Sequence, residues 1–204
     1  MKNEDASEHL IPPHGGYSKL VTYKLGLLIY DATVAFCEHY LDRKDRTFDQ
    51  MVQAARSGVQ NIAEGSVASA TSKKTELRLT NVARASLEEL HLDYEDYLRQ
   101  HSCTQWSKDH PLAQEFIRRC ISSMEDFRNF IQWAKIQSTA MSVNVGNCPL
   151  QSVIAANGVL LLLDTACFML DRQIARLAAD FENKGGFSER MYNRRAQIRD
   201  KENE

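Results

Sequence analysis

The stretch Ala54–Ala70, AARSGVQNIAEGSVASA, decides how the rest of the chain is read. Taken with the residues just upstream, Phe48, Val52, Ala55, Val59 and Ile62 recur at steps of three and four, which lays one apolar stripe along an α-helix. Gly65 follows the last stripe residue and suits the left-handed position that closes a helix, because it has no Cβ to clash. This helix is expected from about Thr47 to Glu64. Asn61 and Glu64 flank Ile62, so at least one of them belongs near the core and needs a partner there. An unsatisfied buried polar group costs on the order of 1–3 kcal/mol.

Outward from that stretch, the same three–four spacing repeats. Leu20, Tyr23, Leu27, Tyr30, Val34, Cys37 and Leu41 predict a first helix from Ser18 to Leu41. Downstream, Ser72 ahead of Glu76 is a capping signal for a third helix reaching Gln100. Its apolar face is Leu77, Thr80, Ala83, Leu87, Leu90, Tyr94 and Tyr97, and a second face carries Leu79, Val82, Ser86 and Asp93. Pro111 stands where a first helical turn tolerates proline. Ala113, Ile117, Cys120, Met124, Phe127, Ile131 and Ala134 then predict one continuous fourth helix.

The expected architecture is all-α. Residues 1–16 form a flexible arm, and 17–137 an up-down-up-down antiparallel four-helix bundle with short connections. Residues 138–150 are a linker, and 151–204 a separate unit made of one long helix and a short basic tail helix. The long helix, to about Asn183, is apolar on nearly every side between Val159 and Leu170 and must be buried all round. A closed bundle has no vacancy for it. Val159, Leu160, Leu163, Phe168 and Leu170 are therefore read as a surface that packs across the bundle or docks on another chain.

Composition narrows the function. The 204 residues carry 25 Lys and Arg against 27 Asp and Glu, so net charge is −2 and nothing draws the whole molecule to nucleic acid or anionic lipid. Binding of that kind has to come from a local patch. The five cysteines lack C-x-x-C spacing, and Cys37, Cys120 and Cys167 fall on apolar helical positions, which suits a reducing cytoplasm. The apolar run Val159–Leu163 is stopped by Asp164 and preceded by Asn157 and Gly158. It falls short of the ~20 residues of a membrane span.

No nucleophile elbow, phosphate-cradling glycine loop or H-E-x-x-H string occurs, so no catalytic residue, cofactor or metal is expected. His91, with Glu88, Glu95 and Asp96 near it, reads as a solvated helical histidine rather than a metal ligand. Glu64 and Glu89 read as caps or register-fixing partners of Arg56 or Arg84, together with Asn61, Gly65 and Glu76, rather than as an acid–base pair. Two basic clusters remain: Lys73, Lys74 and Arg78 at the start of the third helix, and Arg190, Arg194, Arg195 and Arg199 in the tail beside Tyr192. Clustered arginines with an aromatic suit phosphate backbones and single-stranded bases.

The string NIAEG, preceded by Gln50 and Ser57, resembles the four-helix-bundle proteins encoded by intervening sequences in bacterial 23S rRNA genes. Ser72-Lys73-Lys74-Thr75-Glu76-Leu77 and Ala85-Ser86-Leu87-Glu88-Glu89-Leu90 resemble that family's next helix. Tyr23-Lys24, Ile29-Tyr30, Thr33 and Phe36 resemble its first. Leu170-Asp171-Arg172-Gln173 and Gly185-Gly186-Phe187-Ser188-Glu189-Arg190 resemble the suffix domain of one subgroup. The chain departs from that family at Gln60, where a proline is common. The resemblance implies a non-enzymatic bacterial homo-oligomer, by analogy with the accessory protein of diversity-generating retroelements a pentamer. Such a protein would act as an adapter for RNA, DNA or a partner protein such as a reverse transcriptase. The alternative is a purely structural interaction module.

Overall fold

A computed structural model describes residues 16–141 and 146–202, so the expected arm (except Gly16) and linker residues 142–145 lie outside the described residues. Among the described residues all regular structure is helical. After a single 3-10 turn at Tyr17–Lys19 come α1 (Val21–Tyr40), α2 (Arg46–Ala68), α3 (Lys73–Gln100), α4 (Pro111–Arg118), α5 (Met124–Met141), α6 (Leu150–Lys184) and α7 (Phe187–Glu202).

Local chemistry sets most of these boundaries. Asp45 accepts the Thr47 N–H to cap α2, and Ser72 accepts the Thr75 N–H at 3.1 Å to cap α3. Gly185 ends α6 with φ +64, a conformation only glycine adopts without strain. Gly65 does not end α2, as the sequence reading expected. The helix runs three residues further to Ala68 and closes through Ser72 N–H on the Ala68 carbonyl, 2.9 Å. Gly65 is instead a buried helical position packed on α3, where a Cβ would meet the Glu76 carbonyl and Leu79 at an ordinary contact distance of 3.5 Å.

The expected fourth helix is two helices. Between them Cys120 has φ +50, and Ser123 accepts the Asp126 N–H at 3.1 Å while Asp126 accepts the Ser122 N–H. That capping box restarts the chain as α5, and a three–four count runs through it unaware. Ile117 (58% exposed) and Cys120 are consequently solvent-exposed, not core.

The helices pair antiparallel in a closed ring. α1 meets α2 where Gly26 lies on Val59 and Ile62, and Cys37 on Met51. α2 packs along α3 with Gly58 against Leu87, the most extensive pairing in the molecule. α3 pairs with α6 through Arg84–Asp171 (2.6 Å) and His91–Asp164 (3.2 Å). α6 returns to α1 at Thr22–Gln173, 3.3 Å. The fourth side of the ring is therefore α6, not the segment 111–137. α4 and α5 pack on the outside of α6, with Phe116 and Phe127 over Gly158.

A single apolar core spans Leu28 to Leu170 and draws on all six helices α1 to α6. Asn157, Gly158 and Asp164 do not interrupt α6, so it is long and apolar enough to cross a membrane, contrary to the count made from the run alone. Most of its apolar window, 72%, is buried inside the chain, as a core helix requires. In α1 the buried residues are Thr22, Gly26, Leu28, Ile29, Ala32, Thr33, Phe36 and Cys37, so of the stripe read off the sequence only Cys37 is fully buried, with Leu20, Tyr23, Tyr30 and Leu41 partly buried at its edge. Leu27 is 37% exposed. Helix α1 touches both α2 and α6, and small residues let it approach them, so hydrophobicity alone misplaces its inner face.

Candidate functional site

The polar residues singled out in NIAEG and its surroundings divide between the α2–α3 seam and solvent. Asn61 donates to the Ser57 carbonyl (2.9 Å) and to its hydroxyl (3.2 Å), and that hydroxyl meets Ser86 of α3 at 2.9 Å. Glu76, 9% exposed, accepts from the Lys73 ammonium at 2.8 Å. Its backbone carbonyl takes the Thr80 hydroxyl. Arg56, Glu64 and Glu89 are exposed. Arg84 does not partner Glu89: its guanidinium faces Asp171 and, at 3.9 Å, Glu88. The seam thus fixes the register of α2 on α3 through Ser57, Asn61 and Ser86.

Beside it, Asp93 carries a strained charge. Its Oδ2 is buried without a partner, and desolvation, reinforced by Glu89 and Asp96, pushes its carboxyl up to about 6. The sequence signal was present, because Glu89, Asp93 and Asp96 lie one helical turn apart and repel. His91 is raised by its hydrogen bond to Asp164, against burial, with Glu95 and Glu88 adding to it. Among the described residues no three His, Cys, Asp or Glu side chains cluster as metal ligands would.

Asp93 makes a pH prediction. Its folded value lies above the ordinary carboxyl value of ~3.9, so the fold gains stability as pH falls from about 6 to 4 and lacks that gain above 6. Asp93→Asn should therefore stabilise the protein at pH 7 by roughly 1 kcal/mol, the site being partly open to screening solvent. At pH 4 it should do nothing. The His91 contribution, present at low pH and lost as pH rises through its own raised value, is common to both proteins and cancels in the difference. Urea denaturation of the two proteins at both pH values measures it. An equal difference at both would refute the assignment.

Topology puts the start of α3 and the root of α7, the helices that carry the two basic clusters, at one end of the molecule. Because α1 and α3 run against α2 and α6, the start of α3, the end of α2 and the end of α6 share one end of the ring, and α7 hangs from it. Lys73 is committed to Glu76. Lys74 and Arg78 are exposed, as are Arg195, Arg199 and Tyr192 (68%), and no ion pair is formed by these four cations among the described residues. Arg194 is half-buried, and the Arg190 side chain lies outside the described ones. Among the described residues α7 makes no extensive packing contact with any other helix.

Of the residues read as a docking helix, Val159, Leu163 and Leu170 are fully buried and Leu160 is 4% exposed, all within their own chain. Only Phe168, 61% exposed, faces outward, with Arg172 over its ring. Sequence reading missed the apolar groove beside it, where Val21, Leu25, Phe116, Ile117, Leu162 and Met169 meet from α1, α4 and α6. No periodicity within one helix announces a groove built from three.

Comparison with protein families, with curated proteins and with solved structures finds no match to this chain.

Proposed function

We propose that this is a non-enzymatic adapter built on an up-down-up-down bundle of α1, α2, α3 and α6, which engages RNA or DNA with its basic end. One observation carries this reading: Lys74 and Arg78, exposed at the start of α3, lie at the end of the bundle from which α7 extends with Arg195 and Arg199 exposed along it, and none of the four forms an ion pair among the described residues. Arg84, Arg99, Arg118 and Arg119, by contrast, are spent on ion pairs. Unpaired guanidinium groups beside an exposed tyrosine can neutralise phosphates, release counterions and stack on a base.

Fluorescence anisotropy with labelled single-stranded RNA and duplex DNA tests the reading. Binding should weaken steeply between about 50 and 200 mM salt, and Arg195→Ala with Arg199→Ala should lower affinity about tenfold while reducing the salt slope. No binding at low salt removes the proposal.

The exposed Val21, Ile117 and Phe168 favour a second reading, a structural module that docks on protein through the α1–α4–α6 groove. Self-association is the common element of both, and solution mass by light scattering measures it directly.

A further inference from the structure

Two loops that meet at the start of α6 bring two thiols together. Cys103 follows α3, where its N–H donates to the Leu98 carbonyl at 2.8 Å and its thiol points at the His101 carbonyl, 3.6 Å. The segment leading into α6 folds back onto that turn. Asn147 donates its N–H to the His101 carbonyl at 3.3 Å, and Gly146, with φ +52, lies so close to the same carbonyl that a Cβ would overlap it. One residue further on, the Cys148 sulfur accepts the Tyr97 phenol proton at 3.3 Å, and its thiol lies close enough to that of Cys103 to interact with it. Both cysteines are half-buried, within reach of a small oxidant. Cys37 and Cys167 are buried on separate helices, and Cys120 stands alone in solvent.

We propose that Cys103 and Cys148 form a reversible oxidation site, closing to an intramolecular disulfide when the chain meets hydrogen peroxide. Charge developing on the Cys148 sulfur is met by the Tyr97 hydroxyl, which makes Cys148 the attacking thiol. Its sulfur bonds to one peroxide oxygen, the O–O bond breaks, and the departing hydroxide takes the thiol proton to leave as water. Cys148 is then a sulfenic acid. Burial pushes the Cys103 thiol up to about 11, so it waits protonated. Its sulfur attacks the Cys148 sulfur, the S–O bond breaks, and the hydroxyl leaves as a second water with the Cys103 proton. The two thiols lose two electrons and the peroxide gains them. The bond ties the end of α3 to the start of α6, locking the core helix to the turn it enters beside.

The experiment uses the full chain carrying Cys120→Ser, which removes the exposed thiol as a route to bridged dimers. After peroxide treatment in native buffer and alkylation under denaturing conditions, the peptides holding Cys103 and Cys148 should be recovered joined and lighter by two hydrogens. Dithiothreitol should release them, and the oxidised protein should melt roughly 5–10 °C higher, since a long loop has been closed. Adding Cys103→Ser should leave a sulfenic acid at Cys148 that dimedone traps. Recovery of both cysteines alkylated, a bridge found only between chains, or equal dimedone labelling with Cys103 in place would each overturn the proposal.

Discussion

A chain cut after Leu150 will not fold. The cut removes α6, and with it Val153, Ile154, Val159, Leu163 and Leu170, all fully buried, and Leu160, Leu162 and Leu177, each no more than 5% exposed. Burying one such side chain is worth ~1.5–3 kcal/mol, so these eight residues contribute on the order of 12–24 kcal/mol before entropy is counted. The whole net stability of a domain this size is about 5–15 kcal/mol. What remains is a three-sided trough whose floor, Ile29, Ala83, Leu87 and Tyr94, faces water. The expected result is loss of a cooperative thermal transition with aggregation or dye binding. A cut after Gly185, which removes only α7, should leave the melting temperature of the bundle where it was. A monomeric 1–150 fragment with a sharp melt would show that α6 is not the fourth side of the ring.

The second large effect sits at one side chain. Asn157 is 2% exposed on a helix otherwise lined with apolar groups. Its carbonyl accepts the Trp106 N–H at 2.7 Å, and its amide donates to the Thr104 carbonyl at 3.0 Å and to the Val153 carbonyl at 2.9 Å. The irregular segment between α3 and α4 therefore has two backbone groups satisfied by α6. That segment also places Trp106, stacked on His110 and edge-on to Phe130. Asn157→Leu keeps the branched outline of the side chain and leaves both backbone groups dry and unpaired. Each orphan costs about 1–3 kcal/mol, so the substitution should destabilise by roughly 3–5 kcal/mol. Chemical denaturation should show a lower midpoint at an unchanged slope. A loss under about 1 kcal/mol would mean that the segment finds other partners.

Both effects concern residues whose type was plain in the sequence and whose task was not. Asn157 read as an interruption of an apolar run, because the backbone groups it satisfies lie about 50 residues away. Arg84 offered several partners, and only the placement of α6 beside α3 supplied Asp171. Glu64 and Glu89, read beside Arg56 as register-fixing groups, are on the surface, where solvent screens them. Lys74, Arg78, Arg195 and Arg199 were recognisable as two basic clusters, but that α7 leaves from the end where α3 begins follows from the direction of each helix in the ring.

By itself the sequence determined the all-helical class, the capping of α3 by Ser72, the proline at the start of α4 and the end of α6 to within a residue or two, since each rests on contacts within a few residues. It also required that the apolar C-terminal helix be sheltered. Tertiary structure alone decided where. α6 enters the ring as its fourth side because the capping box at Ser123 breaks the segment that was to fill that place. α4 and α5 are left too short to line the whole bundle, while the 35-residue α6 runs its full length. Local hydrogen bonds are legible from neighbouring residues, but which of two apolar faces closes a core depends on length and fit across the whole chain.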